Sequence, residues 1–405
     1  MKLLPITAAL ISAGMISSQV MAEDVNQRIE KLEKEISALK SQTAANNSNV
    51  KAGSSSVTVG GYIKLDAQMT EYSDGRGPTG AGEDFLIPST IPTGGESGDT
   101  KTHFSAKESR LWIKGQTQTD AGLIKGHLEM DFQLSGQGNE RVSNSYSPRL
   151  RHAYFSWDKW LFGQTWSTFF NVSALPDLLD FVGPVGTIFI RQPQVRYSTG
   201  NWQFAAENPE STLYAAGAGT TFDDNALPDM IARYNFGSGK ANYSLAVMGR
   251  ELAYDDGDDV ESEYGYALSL AGKIALGDQG DDLRVMLNAG NALGRYMGLN
   301  AFRAGAIEAD GDIDLIDQVG IFVAYRHLWD EQWRSSFSLS AAQADNPDAA
   351  GGTAAKQYET LHANLIYKPT AALDLGGEII IGNKELENGD DGSINRVQFS
   401  AKYSF

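Results

Sequence analysis

Strict alternation of apolar and polar side chains recurs from Val57 to Phe405 and limits what this chain can become more than any other feature. In the last twelve residues Val397, Phe399, Ala401, Tyr403 and Phe405 alternate with Arg396, Gln398, Ser400, Lys402 and Ser404. Side chains two apart share one face of a strand, so the segment has an oily face and a polar one. Residues 123–134 repeat the pattern, with Ile124, Leu128, Met130, Phe132 and Leu134 set against Lys125, His127, Glu129, Asp131 and Gln133. Sixteen such segments can be marked, the first near 57–72 and the last near 394–405.

The connections sharpen this. Seven are short, among them Asp158–Lys159, Gly200 and Trp329–Gln332. They alternate with eight longer ones near 73–102, 135–147, 168–193, 208–228, 253–263, 291–316, 343–357 and 384–393. Short turns thus gather at one end and long loops at the other, as in bacterial outer-membrane barrels. Lipid offers no partner to a free backbone group, so such a sheet must close, first strand on last. The expected fold is all-β: a sixteen-stranded antiparallel transmembrane β-barrel over 57–405, preceded by a short N-terminal coiled-coil helix. Tyr403, Phe405, Tyr367, Trp333 and Trp202 stand near strand ends as interface girdles. With sixteen strands side chains no longer fill the interior, and a polar-lined aqueous bore is expected.

Residues 1–22 read as a secretory signal peptide, with Lys2, an apolar stretch and a small-residue cleavage site. In 23–40 the spacing of Val25, Ile29, Leu32, Ile36 and Leu39 is heptad-like, predicting a short parallel coiled coil or one docked amphipathic helix. Residues 41–56 read as a tether. An even strand count puts both barrel ends at the short-turn side, and so the helix in the periplasm. A net charge of −18 argues against nucleic acid. No G-x-S-x-G occurs, the five His are scattered and there is no Cys, so no enzyme activity, catalytic residue, metal site or cofactor is expected.

The charges divide unevenly. Carboxylates crowd the loops, as in Asp255-Asp256-Gly257-Asp258-Asp259. Arg110, Lys114, Lys64, Lys125, Arg196, Arg233, Arg250, Arg284, Arg326, Arg334 and Arg396 take the inward parity, while Arg149 and Arg151 lie where parity is less clear. Asp66, Glu108, Glu129, Asp131, Asp374 and Glu378 also face inward. Arginine and lysine rings select anions; the alternative is that these charges merely pair across the lumen. The third long loop, Ser167 to Pro193, is too apolar for a solvated loop, carrying Phe169-Phe170, Leu175 to Val182, Ile188-Phe189-Ile190 and Arg191. It is expected to fold into the barrel and narrow it, with a short helix over Leu175 to Phe181, or else to contact a neighbouring subunit.

Gly60-Gly61-Tyr62-Ile63-Lys64-Leu65-Asp66, Arg149-Leu150-Arg151-His152-Ala153-Tyr154 and Gly163-Gln164-Thr165-Trp166-Ser167-Thr168-Phe169 resemble the DcaP-like outer-membrane porins. The resemblance implies a homotrimer with a periplasmic coiled coil, and a preference for small anions, dicarboxylates especially, carried by Arg149, Arg151 and the third loop. The expected partners are small anionic solutes, outer-membrane lipid and lipopolysaccharide of a Gram-negative cell, and the barrel assembly machinery through the strand ending in Phe405. A general, non-specific diffusion porin is the alternative.

Overall fold

The computed structural model describes residues 50–52, 55–134, 138, 140, 141 and 143–405. The leader, the heptad segment and most of the 41–56 tether lie outside them. Two compact units divide at Val59 and Gly60. Of the first, Val50–Ala52 pairs antiparallel with Ser55 to Val57.

The second unit is a closed barrel of sixteen antiparallel strands. They are β1 (Ser55–Tyr72), β2 (Asp99–Ser105 continuing as Arg110–Thr119), β3 (Gly122–Asp131), β4 (Arg149–Trp157), β5 (Trp160–Trp166) and β6 (Arg191–Thr199). Next come β7 (Trp202–Glu207), β8 (Asp229–Ser238), β9 (Ala241–Asp255), β10 (Val260–Leu276) and β11 (Asp281–Gly290). The last are β12 (Asp317–Leu328), β13 (Trp333–Asp345), β14 (Ala355–Thr370), β15 (Leu373–Leu386) and β16 (Asp391–Ser404). Each pairs with its sequence neighbour, and β1 closes on β16 from Tyr62↔Ser404 to Tyr72↔Ile394. Closure leaves no sheet edge for lipid to meet.

Parity runs as the alternation requires. On β1 Ile63 and Met69 are 61% and 57% exposed, while Lys64, Asp66 and Gln68 between them are buried. The outward aromatics stack near the short turns: Trp333 on Tyr367 at 4.6 Å and Trp202 on Tyr234 at 4.8 Å.

Three features differ from expectation. β2 is broken at residues 106–109, where Ser109 instead hydrogen-bonds Lys64 through its hydroxyl. Parts of two long loops build a separate four-stranded sheet, from Ser211–Ala215, Ala218–Phe222, Gly305–Ile307 and Ile313–Leu315. Finally, the inward set is not polar throughout. On β9 to β13 it includes Ala246, Met248, Ala267, Ala271, Met286, Phe322 and Ala342, which pack against Phe85, Phe169, Phe170, Val185, Ile188, Tyr296 and Phe302 from the first, third and sixth long loops.

Candidate channel constriction

The third loop crosses the bore and is strapped to the wall through its backbone. Glu378 on β15 accepts the N–H groups of Leu179 and Asp180 at 2.6 and 3.2 Å. Asn364 on β14 donates to the Asp177 carbonyl at 2.9 Å, and Ser340 on β13 accepts from Gly186 at 2.8 Å. Gly186 lies flat on the wall: a Cβ there would sit 2.6 Å from the backbone N and O of Ile321. The segment Leu175 to Phe181 is therefore not helical. Its amides and carbonyls are held by wall side chains instead of by one another, and a 3-10 turn forms just upstream at Val172–Ala174.

Many inward cations serve this strapping. Lys64 donates to Glu108 and to the Leu179 carbonyl, the latter at 2.8 Å. Arg196 donates to the Trp166 carbonyl at 2.6 Å, Arg233 to that of Phe170 at 2.7 Å, and Arg284 to that of Leu175. Arg334 reaches Asp177 at 2.8 Å and Asp374 at 3.0 Å. These residues hold the loop, so they contribute less to the field in the bore than their number suggests.

Four guanidiniums gather opposite the loop. A bulge in the β3–β4 pairing sets Glu129 opposite His152 but Met130 opposite Leu150, so Arg151 has no partner across the ladder. A bulge re-aims side chains, and here consecutive residues, Arg151 and His152, both turn inward and are buried. Arg151 bridges Glu129 and Asp131, at 2.7 Å to each. Arg149 grips Asp131 with a two-pronged contact at 2.9 and 2.8 Å. Arg110 adds a 3.4 Å contact to Glu129.

Arg191 differs from these. It is the first residue of β6, directly opposite Trp166, and not a member of the loop. Its guanidinium lies 4.1 Å over the Trp166 ring and 5.6 Å from that of Phe189. Its Nη1 is buried without a hydrogen-bond partner, and Arg151, Arg149 and Arg110 all repel it. Across the gap Phe181 of the loop faces Arg151 and Arg149 at 5.3 and 5.6 Å. Four guanidiniums against two carboxylates leave a surplus of two positive charges beside an aromatic face.

Of the residues expected at the site, Arg110, Arg149, Arg151 and Arg191 come together. Lys64 is consumed by Glu108, Asp66 and the loop, Arg196 by the Trp166 carbonyl of β5 and the Thr168 hydroxyl of the loop, and Lys114 stacks on Trp112 at 4.5 Å. Sequence reasoning missed His127 and His152, whose rings stack at 5.4 Å with each Nε2 near Glu129. Their inward parity on neighbouring strands was the available signal. Beneath the loop lies a cavity of about 310 Å³, lined by Tyr62, Lys64, Arg110, Arg151, Arg334 and Lys402 on one side. Leu175, Leu178, Phe181, Val182 and Phe189 of the loop, with Trp166 of β5, line the other.

A closed cylinder with an apolar exterior and an inward-folded third loop beside a charged wall defines an outer-membrane β-barrel channel of the porin class. More narrowly, the chain belongs to the DcaP outer membrane protein family, whose model matches residues 14–405. Among solved structures it is similar to the outer membrane channel DcaP of Acinetobacter baumannii, with 24% identity over 88% of this chain and 99% of that one and a TM-score of 0.73. The anion-selective porin of Comamonas acidovorans shares the fold at 12% identity, covering 87% and 100% of the two chains, with a TM-score of 0.51. OmpT of Vibrio cholerae does so at 11% identity, 88% and 100% coverage, and a TM-score of 0.53. No curated protein matches the sequence.

Proposed function

We propose that this protein is a passive channel for small anionic solutes, dicarboxylates among them. The observation behind this reading is the excess of guanidinium over carboxylate at Arg110, Arg149, Arg151 and Arg191, facing the third loop. Planar guanidiniums match carboxylates in two-pronged geometry, and a fixed cationic ring raises the local concentration of anions. Kinship of fold with a porin described as anion-selective adds support.

The rest of the expected biology belongs to the same proposal. Residues 1–22 export the chain, 23–40 form a periplasmic coiled coil, and three copies assemble in lipid and lipopolysaccharide after the barrel machinery engages the strand that ends in Phe405. A trimer form of a protein with this fold, Vibrio cholerae OmpT, is known. Reversal potential in a potassium chloride gradient tests the central claim: an anion-selective sign is expected, and a cation-selective sign at neutral pH defeats it. The competing reading, an unselective diffusion pore, draws on the many wall cations already occupied by carboxylates or backbone carbonyls. Saturable current block by a dicarboxylate separates the two.

A further inference from the structure

We infer that Lys114 and Lys125 form a second anion station, on the short-turn side of the guanidinium cluster, which deepens the anion-channel reading and rests on it. Both lysines take the inward parity of a ladder that runs unbroken from Leu111↔Met130 to Thr119↔Gly122. Lys114 lies four residues from Arg110 toward the short turn, and Lys125 four from Glu129, so roughly 13 Å of strand separates each from the cluster. They are diagonal neighbours across the ladder, since Lys114 stands opposite His127 and Lys125 opposite Gln116. Both are exposed, which on an inward parity means exposed to the lumen. Lys114 rests on the Trp112 ring at 4.5 Å, and among the described residues neither lysine makes an ion pair.

The wall around them supplies no counter-charge. Glu129, Asp131, Glu207 and Asp229, the inward carboxylates of β3, β7 and β8, all stand at the long-loop end of their strands. On the short-turn side of these the inward charges of β2 to β8 are Lys114, Lys125, Arg196 and Arg233. The two arginines donate to the Trp166 and Phe170 carbonyls, which leaves their charge uncancelled. Counting Asp120, Asp158 and Lys159 of the turns, and Asp66 and Glu108 with Lys64, still leaves two positive charges in excess. Across the bore Lys273, Arg284 and Arg326 converge on Asp282, and Arg334 and Lys402 on Asp374. An ammonium is a compact point charge without the planar preference of a guanidinium, so this station takes small anions in general, carboxylates included. Its exposure keeps the hold weak, and conduction needs a site that releases as well as one that captures. Selectivity stays with the cluster, while the lysines raise the supply of anions on the short-turn side.

The test is single-channel conductance of the full-length protein in planar bilayers with potassium chloride. Lys114→Gln and Lys125→Gln together should lower conductance roughly two- to fourfold at low salt, and far less at molar salt, where screening is strong. Lys114→Arg and Lys125→Arg together keep both charges and should keep the conductance. No loss in the Gln pair, or an equal loss in the Arg pair, overturns the inference. The chain has no Cys, so Lys125→Cys places a single thiol in the bore. An anionic methanethiosulfonate should modify it faster from the short-turn chamber than from the other, and equal or reversed rates would refute its placement. A cation-selective reversal potential in the unmodified channel would overturn the anion-channel reading itself; an anion-selective one with an unaltered Gln pair would overturn the second station alone.

Discussion

The two halves of the bore are built from opposite materials. From β1 to β6 the inward side chains are long and charged, and they meet carboxylates, loop carbonyls or aromatic rings. From β9 to β13 charged groups such as Arg250, Arg284 and Arg334 are interspersed with a run of small side chains, and Ser244, Ala246, Ala267, Ala271, Ser338, Ser340, Ala342 and Ala344 are all buried. Small wall residues leave depth for a loop, and three loops fill it with Phe85, Phe169, Phe170, Ile188, Tyr296 and Phe302. The packed half resembles the core of a soluble domain, stabilised by burial of apolar area at roughly 25 cal/mol per Å². It fixes the third loop against the wall and sets Phe181 facing Arg149 and Arg151 of the polar half. The proposed selectivity on one side would thus depend on rigidity on the other.

The largest effect should come from breaking the polar half at its most buried ion. Arg151 is 2% exposed and joins Glu129 to Asp131, the latter fully buried. Arg151→Ala leaves both carboxylates under-neutralised, a loss of about 3 kcal/mol, the low end for a severed buried pair because Arg149 and Arg110 remain. A lower urea midpoint and earlier loss of the heat-resistant gel band would record it. Behaviour like the unmodified protein would show that Arg151 is a solute contact and not a structural tie.

The packed half can be broken at its closest approach. Gly186→Val places a side chain where the Ile321 backbone already stands, an overpacking cost of about 1–3 kcal/mol. The loop is expected to shift toward the polar half and lower single-channel conductance. An unchanged conductance would mean that the loop does not bound the route.

How much of this contrast the sequence reveals depends on whether the signal is local. Period-two alternation and the sorting of loop lengths disclose the strands, their number and the end at which both barrel termini lie, because each needs only neighbours along the chain. The apolar run from Phe169 to Ile190 likewise betrays an inward loop. The partners of the arginines are another matter, since they depend on cross-strand register. One extra residue at Arg151 turns it and His152 to the same side, and nothing in the alternation places that bulge. The small inward residues of β9 to β13 are legible, but alternation alone reads them as part of a polar lining. The loop sheet combines a parallel pairing, Leu213 with Gly305, across more than ninety residues, which no local pattern encodes.

A smaller, sharper test concerns Arg191, the guanidinium of the cluster that makes no ion pair among the described residues and lies over the Trp166 ring. Arg191→Gln removes a charge without stranding a carboxylate. A single charge acting at ~4 Å in water-like surroundings is worth about 1 kcal/mol, roughly fivefold in local anion occupancy. The reversal potential should move toward the unselective value, more so at low salt, where screening is weak. A shift no larger than that of Lys114→Gln, a cation outside the cluster, would remove Arg191 from the selectivity argument.

The smallest effect lies where the first loop meets the polar half. Asp84 is nearly enclosed and holds His103 and Lys107 at 3.0 Å each, with Glu140 3.7 and 3.8 Å from the same two groups. Burial alone would raise its carboxyl, but hydrogen bonds from His103, Ser105 and Lys107 outweigh that and hold it below the ordinary carboxylate value. A depressed folded value means that ionised Asp84 stabilises the loop fully above the unfolded value of about 4 and ceases to do so as pH falls through the lower one. Cleavage of the first loop by an acid-active protease should therefore rise below about pH 4, with no change between pH 5 and 8. Asp84→Asn should show the faster cleavage at both pH values, having lost the charge that the acid titrates. A variant that keeps the acid-dependent step would assign it to another carboxylate.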